Sequence, residues 1–202
     1  AQVFFAMPVQ PNQLAANDFS KYLQLMARRD IAANAPILTE SVDFKNNRDS
    51  VYAIASAVKD LLAKSAVAVP RRADLEISHH YGLERFHEVG LTLFTVVNRE
   101  YCKKLMVLLP GQRHPEQHHK LKEETFHLLY GDLSVSLDGQ RQDCRTGEVL
   151  TVERNVRHEF WSTEGAVIEE VSSTHVGSDS YYTDPAIMAN GHRKTLLTYW
   201  LD

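Results

Sequence analysis

Between Gly111 and Gly131 the chain reads Gly-Gln-Arg-His-Pro-Glu-Gln-His-His-Lys-Leu-Lys-Glu-Glu-Thr-Phe-His-Leu-Leu-Tyr-Gly, a dense run of imidazole, amide and carboxylate groups. Residues two apart in a strand share a face. Gln117 and His119 therefore point one way and His118 the other. Glu124 follows five residues later and opens an apolar run in which Phe126, Leu128 and Tyr130 share its face. A second stretch, Gly147 to Ser162, contributes His158. If these strands wrap one barrel, Gln117, His119, Glu124 and His158 converge inside it. Two imidazoles, a carboxylate and an amide oxygen suit Mn, Fe, Ni, Co or Zn better than a site demanding thiolates. The competing reading is a set of core histidines satisfied by hydrogen bonds. His114 and His118 read as exposed or off-face residues, and His127 as a structural or surface one.

The elements that must position these groups follow from the pattern around them. Apolar residues recur in short runs over 91–98, 104–109, 124–130, 133–137, 149–153, 158–162 and 167–172. Turns at Gly90, Gly111, Gly131-Asp132, Asp138-Gly139, Gly147 and Gly165 separate them. Many short strands at regular spacing predict an antiparallel sandwich or barrel. Before them, Val51, Ile54, Ala55, Val58, Leu61 and Leu62 fall at helical spacing and predict a helix over 49–64, with Arg48-Asp49-Ser50 as caps. The Pro70-Arg71-Arg72 segment reads as a linker. The expected division is residues 1–66 and 67–202. The segment from Asp184 onward holds a short helix or strand of undecided type.

The chain has 202 residues and a formal charge of −4, with no basic run. That gives no electrostatic case for nucleic acid or an anionic membrane surface. Nor does any stretch approach the roughly 20 apolar residues of a membrane span. Cys102 and Cys144 form no C-x-x-C pair and read as free thiols in a reducing, cytoplasmic setting. The start at Ala1 on a strand-like Val3-Phe4-Phe5-Ala6 run suggests one piece of a longer polypeptide.

The spacing of Gly111, Gln117, His119, Glu124 and Gly131 resembles the first cupin motif, with Gln117 where a His is usual. Gly147, Glu153, Asn155 and His158 resemble the second, with departures at the turn positions 153 and 155. The resemblance implies a mainly β fold, a cupin β-barrel of jelly-roll type. Leu75 to Gly82, Asn98 to Leu105 and Ile168 to His175 further resemble the cupin of sialic acid (N-acetylneuraminate) synthase-like proteins. Residues 27–42, and more faintly 6–19, resemble their SAF (antifreeze-like) segment, which implies a small α/β N-terminal region.

The same cupin is similar to D-lyxose isomerase, in Lys104, the His119 to Glu124 step, Lys122, and Glu170-Val171-Ser172. Aldose–ketose isomerisation needs a base for a C–H proton and a cation for the developing oxyanion. Glu170 is the candidate base and Lys104 the candidate acid or charge stabiliser. Lys104 shares parity with the apolar Met106 and Leu108, which favours it over Lys103 as the inward group. Glu170 shares parity with Ile168 and Ser172 and Glu169 with Val167 and Val171, so one of the two glutamates faces the cavity, and Glu170 is preferred. Lys122 and His80 are the candidate substrate contacts, although Lys122 reads locally as a solvated turn residue. The implied partner is a small sugar or sugar acid, and the implied assembly a homodimer. The other reading is a non-catalytic module that binds a sugar or sialic acid and regulates a synthase to which it is joined.

Overall fold

The computed structural model describes residues 3–6, 37–198 and 200. The elements run β1 (Val3–Ala6), α1 (Ile37–Ser65), β2 (Leu75–Ser78), β3 (Leu91–Asn98), β4 (Tyr101–Leu108), β5 (Arg113–His118), β6 (Glu124–Leu137), β7 (Gln140–Arg145), β8 (Val149–Val152), β9 (His158–Trp161), β10 (Ala166–Ser173), β11 (Tyr181–Tyr182), α2 (Pro185–Ala189) and β12 (Lys194–Thr198). The strands form a curled sheet in the order β1-β12-β2-β3-β4-β10-β6-β9-β5-β11, with β7 and β8 also paired to β6. All these pairings are antiparallel except β1 with β12. This is the mainly β, curled sheet expected of a cupin. Among the described residues no helix is long and apolar enough to cross a membrane, and Cys102 and Cys144 are free.

The strand period sorts side chains into two cores. On β4 and just beyond it, Leu105, Val107 and Leu109 pack outward into a cluster with Val51, Ile54, Ala55, Val58, Leu61 and Leu62 of α1. Met106 and Leu108 pack inward with Phe126, Leu128, Phe160 and Ile168. The helical stripe legible in the sequence thus lies on the outer face of the sheet. Each Val, Leu, Ile, Met or Phe among these contributes roughly 1.5–3 kcal/mol when fully buried. Helix and sheet share this core across the 66/67 boundary. The helix starts at Ile37, well before position 49, so Arg48-Asp49-Ser50 lie inside it rather than capping it. Most of the SAF-like stretches, residues 7–19 and 27–36, lies outside the described residues.

One turn differs from expectation and another fits it. Gly131-Asp132 is a corner within one long strand: β6 pairs with β8 and β10 before it and with β7 and β9 after it. A register shift opposite Leu129 moves Tyr130 off the Glu124 face and onto the helix-side cluster. Gly131 has φ 88°, and a Cβ there would fall 1.9 Å from the Gly165 carbonyl oxygen. Backbone cannot yield cheaply on both counts. Gly131→Ala is therefore expected to destabilise by more than about 1 kcal/mol, lowering Tm by at least roughly 2–4 °C. A thermal melt with no shift would contradict that packing. At the other turn, Asn155 has φ 66°. It occupies a glycine-favouring conformation at the position where the motif usually has Gly.

Candidate active site

The barrel interior holds a cavity of about 100 Å³. Roughly 10–15 Å³ of such space takes one water, so the cavity has room for a small polar ligand. Leu91, Leu93, Met106, Phe126 and Phe160 give it apolar walls, and Lys104, Gln117, His119, Lys122, Glu124, Glu170 and His175 are among its polar ones.

At one end, ligand atoms of His119, Glu124 and His158 all lie within 4.8 Å of one another, and all three residues are buried. Glu124 Oε2 is 3.2 Å from His158 Nε2 and 3.5 Å from His119 Nε2. Each ring is oriented through its other nitrogen. His119 Nδ1 donates to the Asp179 carbonyl at 2.6 Å, and His158 Nδ1 to the Val156 carbonyl at 3.1 Å. In the neutral rings both Nε2 lone pairs therefore face Glu124. Burial, outweighing the pull of Glu124, lowers the His119 pKa and favours that neutral form. Gln117 stands beside them, its Nε2 3.4 Å from His158 Nε2. Gln117 Oε1, His119 Nε2 and Glu124 Oε2 are buried without hydrogen-bond partners. Unpaired buried polar atoms are costly and rare. Two of them, His119 Nε2 and Glu124 Oε2, face each other at 3.5 Å and fit a cation, and with His158 and the neighbouring Gln117 the donor types suit a first-row divalent metal. These four residues could hold one.

Beside this set lies a buried charge cluster. Lys122 Nζ bonds Glu124 Oε1 and lies 3.1 Å from Glu170 Oε1. Lys104 Nζ reaches Glu170 Oε1 at 3.4 Å, and Ser172 Oγ donates to the same oxygen at 3.0 Å. Burial alone would lower the Lys122 pKa, but Glu124 and Glu170 outweigh it and raise the value above its ordinary range. Burial likewise opposes ionisation of Glu124, yet the adjacent Lys122 ammonium holds its pKa well below the usual carboxylate range.

Lys104 and Glu170 thus face inward, Lys104 as its strand parity implied and Glu170 as the preferred one of two glutamates, while Lys103 and Glu169 pair on the outer side at 2.7 Å. Lys122 corrects its local reading as a solvated residue: its side chain is only 3% exposed. His114 is a second correction. It is buried, stacked on Phe160 at 4.6 Å and placed on the cavity wall. His118 stacks on Tyr181 away from the site, and His127 sits 3.8 Å from Glu169 on the outer side. His80 is buried behind the wall, its Nε2 3.1 Å from Tyr182 Oη, and approaches the cavity through Tyr182 and His114. Burial, reinforced by Arg193 and Lys194, lowers the His80 pKa to about 3.

The cupin domain family matches residues 104–170. A D-lyxose/D-mannose isomerase of Thermosediminibacter oceani is 30% identical over 171 residues, covering 69% of this chain and 94% of the relative. The chain belongs to the D-lyxose isomerase family of cupins. A D-lyxose ketol-isomerase of a Thermofilum species is 27% identical over 158 residues, 63% of this chain and 87% of that protein. Among solved structures, an L-ribose isomerase of Geodermatophilus obscurus shares the fold. Its TM-score is 0.61 at 13% identity, over 75% of this chain and 98% of that one.

Two cavity-side residues of this family member escape local sequence patterns. His175 Nδ1 lies 3.3 Å from Lys104 Nζ. Burial, then the charges of Lys104 and Lys122, lower the His175 pKa to about 3, so the neutral ring accepts from the ammonium. Asp179 is the other, buried behind His119. Both sit in the loop between β10 and β11, where no periodicity marks an inward face.

Proposed function

We propose that the chain is a divalent-metal-dependent aldose–ketose isomerase acting on a free pentose or hexose. The observation that carries this reading is the setting of Glu170. Its Oε1 accepts from Lys104, Lys122 and Ser172. Its Oε2, with no such donor among the described residues, is left to receive a proton beside the candidate ligands. The relatives named for D-lyxose and D-mannose support the choice of substrate class.

A divalent cation, which Gln117, His119, Glu124 and His158 would hold, would supply Lewis acidity to the substrate oxygens. The chain's own groups do the rest. Glu170 Oε2 takes the proton from C2 of the aldose, and the C–H electron pair becomes the C1–C2 double bond of an enediolate. The carbonyl electrons move onto O1. The ammonium groups of Lys104 and Lys122 stabilise that developing charge, which burial among apolar walls makes worth more than in water. A proton shifts from O2 to O1, and Glu170 returns its proton to C1 to give the ketose. Lys104 and Lys122 balance Glu124 and Glu170 in formal charge, so an added divalent cation leaves the site positive and complementary to the enediolate.

Purified protein with Mn²⁺, assayed across an aldose panel for ketose formation, tests the reading. Turnover of at least one pentose or hexose is expected, lost with a chelator and restored by Mn²⁺. The absence of turnover by metal-loaded protein, together with calorimetric binding of a sugar acid, would instead support the non-catalytic binding module. The amide of Gln117, in place of the usual imidazole, is the feature that favours this second reading.

A further inference from the structure

The loop joining β10 to β11, residues 174–180, lies against the site and is tied down along its length. Thr174 Oγ1 donates to the Arg99 carbonyl at 2.7 Å. The backbone of His175 exchanges two hydrogen bonds with the Asn98 amide, at 2.9 and 3.0 Å. At its far end Asp179, 3% exposed, faces the connection between β5 and β6. Its Oδ1 accepts from the backbone N–H groups of Lys120 and Leu121 at 3.0 and 3.2 Å. Its Oδ2 accepts from those of Leu121 and Lys122 at 3.1 and 3.0 Å. Its own carbonyl accepts from His119 Nδ1.

We infer that Asp179 is the positioning residue that assembles the metal-ligand end of the cavity. Three successive N–H groups turned toward one carboxylate form a cradle that sheet pairing does not otherwise satisfy. The segment they belong to carries His119 at one end and Lys122 at the other. Holding it fixes two things at once: which nitrogen of His119 faces Glu124, and where the Lys122 ammonium enters between Glu124 and Glu170. Such outer partners of a ligating His set its tautomer and ring orientation.

The test compares wild type with Asp179→Ala and Asp179→Asn, and uses Asp132→Ala as a matched control. Asp132 also clamps a turn, accepting from Ser162 Oγ, Thr163 N and Glu164 N at 2.8–2.9 Å, away from the cavity. Titration with Mn²⁺ is expected to show affinity about 10- to 100-fold weaker in Asp179→Ala. Partial rescue is expected in Asp179→Asn, and no change beyond twofold in Asp132→Ala. This arm rests on the proposed metal site. The second arm does not: in metal-free protein, imidazole ¹⁵N shifts should report His119 protonated at Nδ1 in wild type and a mixture of tautomers in Asp179→Ala. Wild-type tautomer and wild-type Mn²⁺ affinity in Asp179→Ala would overturn the inference. If wild type binds no Mn²⁺ yet the tautomer shifts, the metal reading fails and the positioning role stands. Should Asp179→Ala not fold, Asp179→Asn carries both measurements, and wild-type values for it would overturn the role.

Discussion

Glu170→Gln is expected to lower kcat by about 10²- to 10⁴-fold, the usual contribution of a positioned general base, with Mn²⁺ affinity and KM nearly unchanged. The substitution keeps the shape of the side chain and an amide oxygen that can still accept from Ser172 and Lys104. It removes the group that receives the substrate proton. Loss of the Lys122–Glu170 attraction is the competing effect, because a displaced Lys122 would disturb Glu124 and with it the metal. That effect is the smaller, since Lys122 Nζ remains bonded to Glu124 Oε1. Steady-state kinetics alongside calorimetric Mn²⁺ titration separates the two. A kcat within a few-fold of wild type would remove Glu170 from the chemistry. A parallel loss of metal affinity would instead make it a structural counter-ion.

The sequence carried much of this site because strand parity is a local rule. Alternation put Lys104 with Met106 and Leu108 on the buried inner face and required one of Glu169 and Glu170 to join them, and the isomerase-like Glu170-Val171-Ser172 run pointed to Glu170, which is the buried one. The helical stripe from Val51 to Leu62 was equally legible, since a repeat of i, i+3, i+4 needs no knowledge of its partner. What stayed hidden depends on contacts between distant segments. Lys122 looks solvated in Lys-Leu-Lys-Glu-Glu, and its burial follows from Glu124 being turned inward beside Glu170, which lies 48 residues away. His114 is inward because β5 packs against β9, where it stacks on Phe160. The long β6 was split in two because Gly131-Asp132 has the composition of a turn. Whether glycine ends a strand or bends it is decided by what lies across from it, here the Gly165 carbonyl. β7 was missed for a different reason: most of its residues are solvent-exposed, so Gln140–Arg145 carries no apolar alternation to read.

Glu124→Ala should abolish the response to metal and also weaken the metal-free fold, and the two effects can be separated by size. Wild type at 100 times its Kd for Mn²⁺ should gain about 2.7 kcal/mol, a rise in Tm of roughly 5–11 °C for a chain of this length. The variant lacks the carboxylate that faces both imidazoles, so it should gain nothing at the same concentration. In metal-free protein, breaking a buried ion pair typically costs about 3–5 kcal/mol. Two features reduce that figure here. Lys122 keeps Glu170 at 3.1 Å, and removing the unpartnered Oε2 relieves a penalty of about 1–3 kcal/mol. A net loss on the order of 2 kcal/mol is expected, or roughly 4–8 °C in Tm. Thermal melts of both proteins with and without Mn²⁺ give all four numbers. An equal Mn²⁺-induced shift in the variant would place the metal elsewhere. An unchanged metal-free Tm would mean that the Lys122–Glu124 pair contributes nothing net. Its role would then be to hold the Glu124 carboxylate ionised and aimed at the two imidazoles, at no gain in stability.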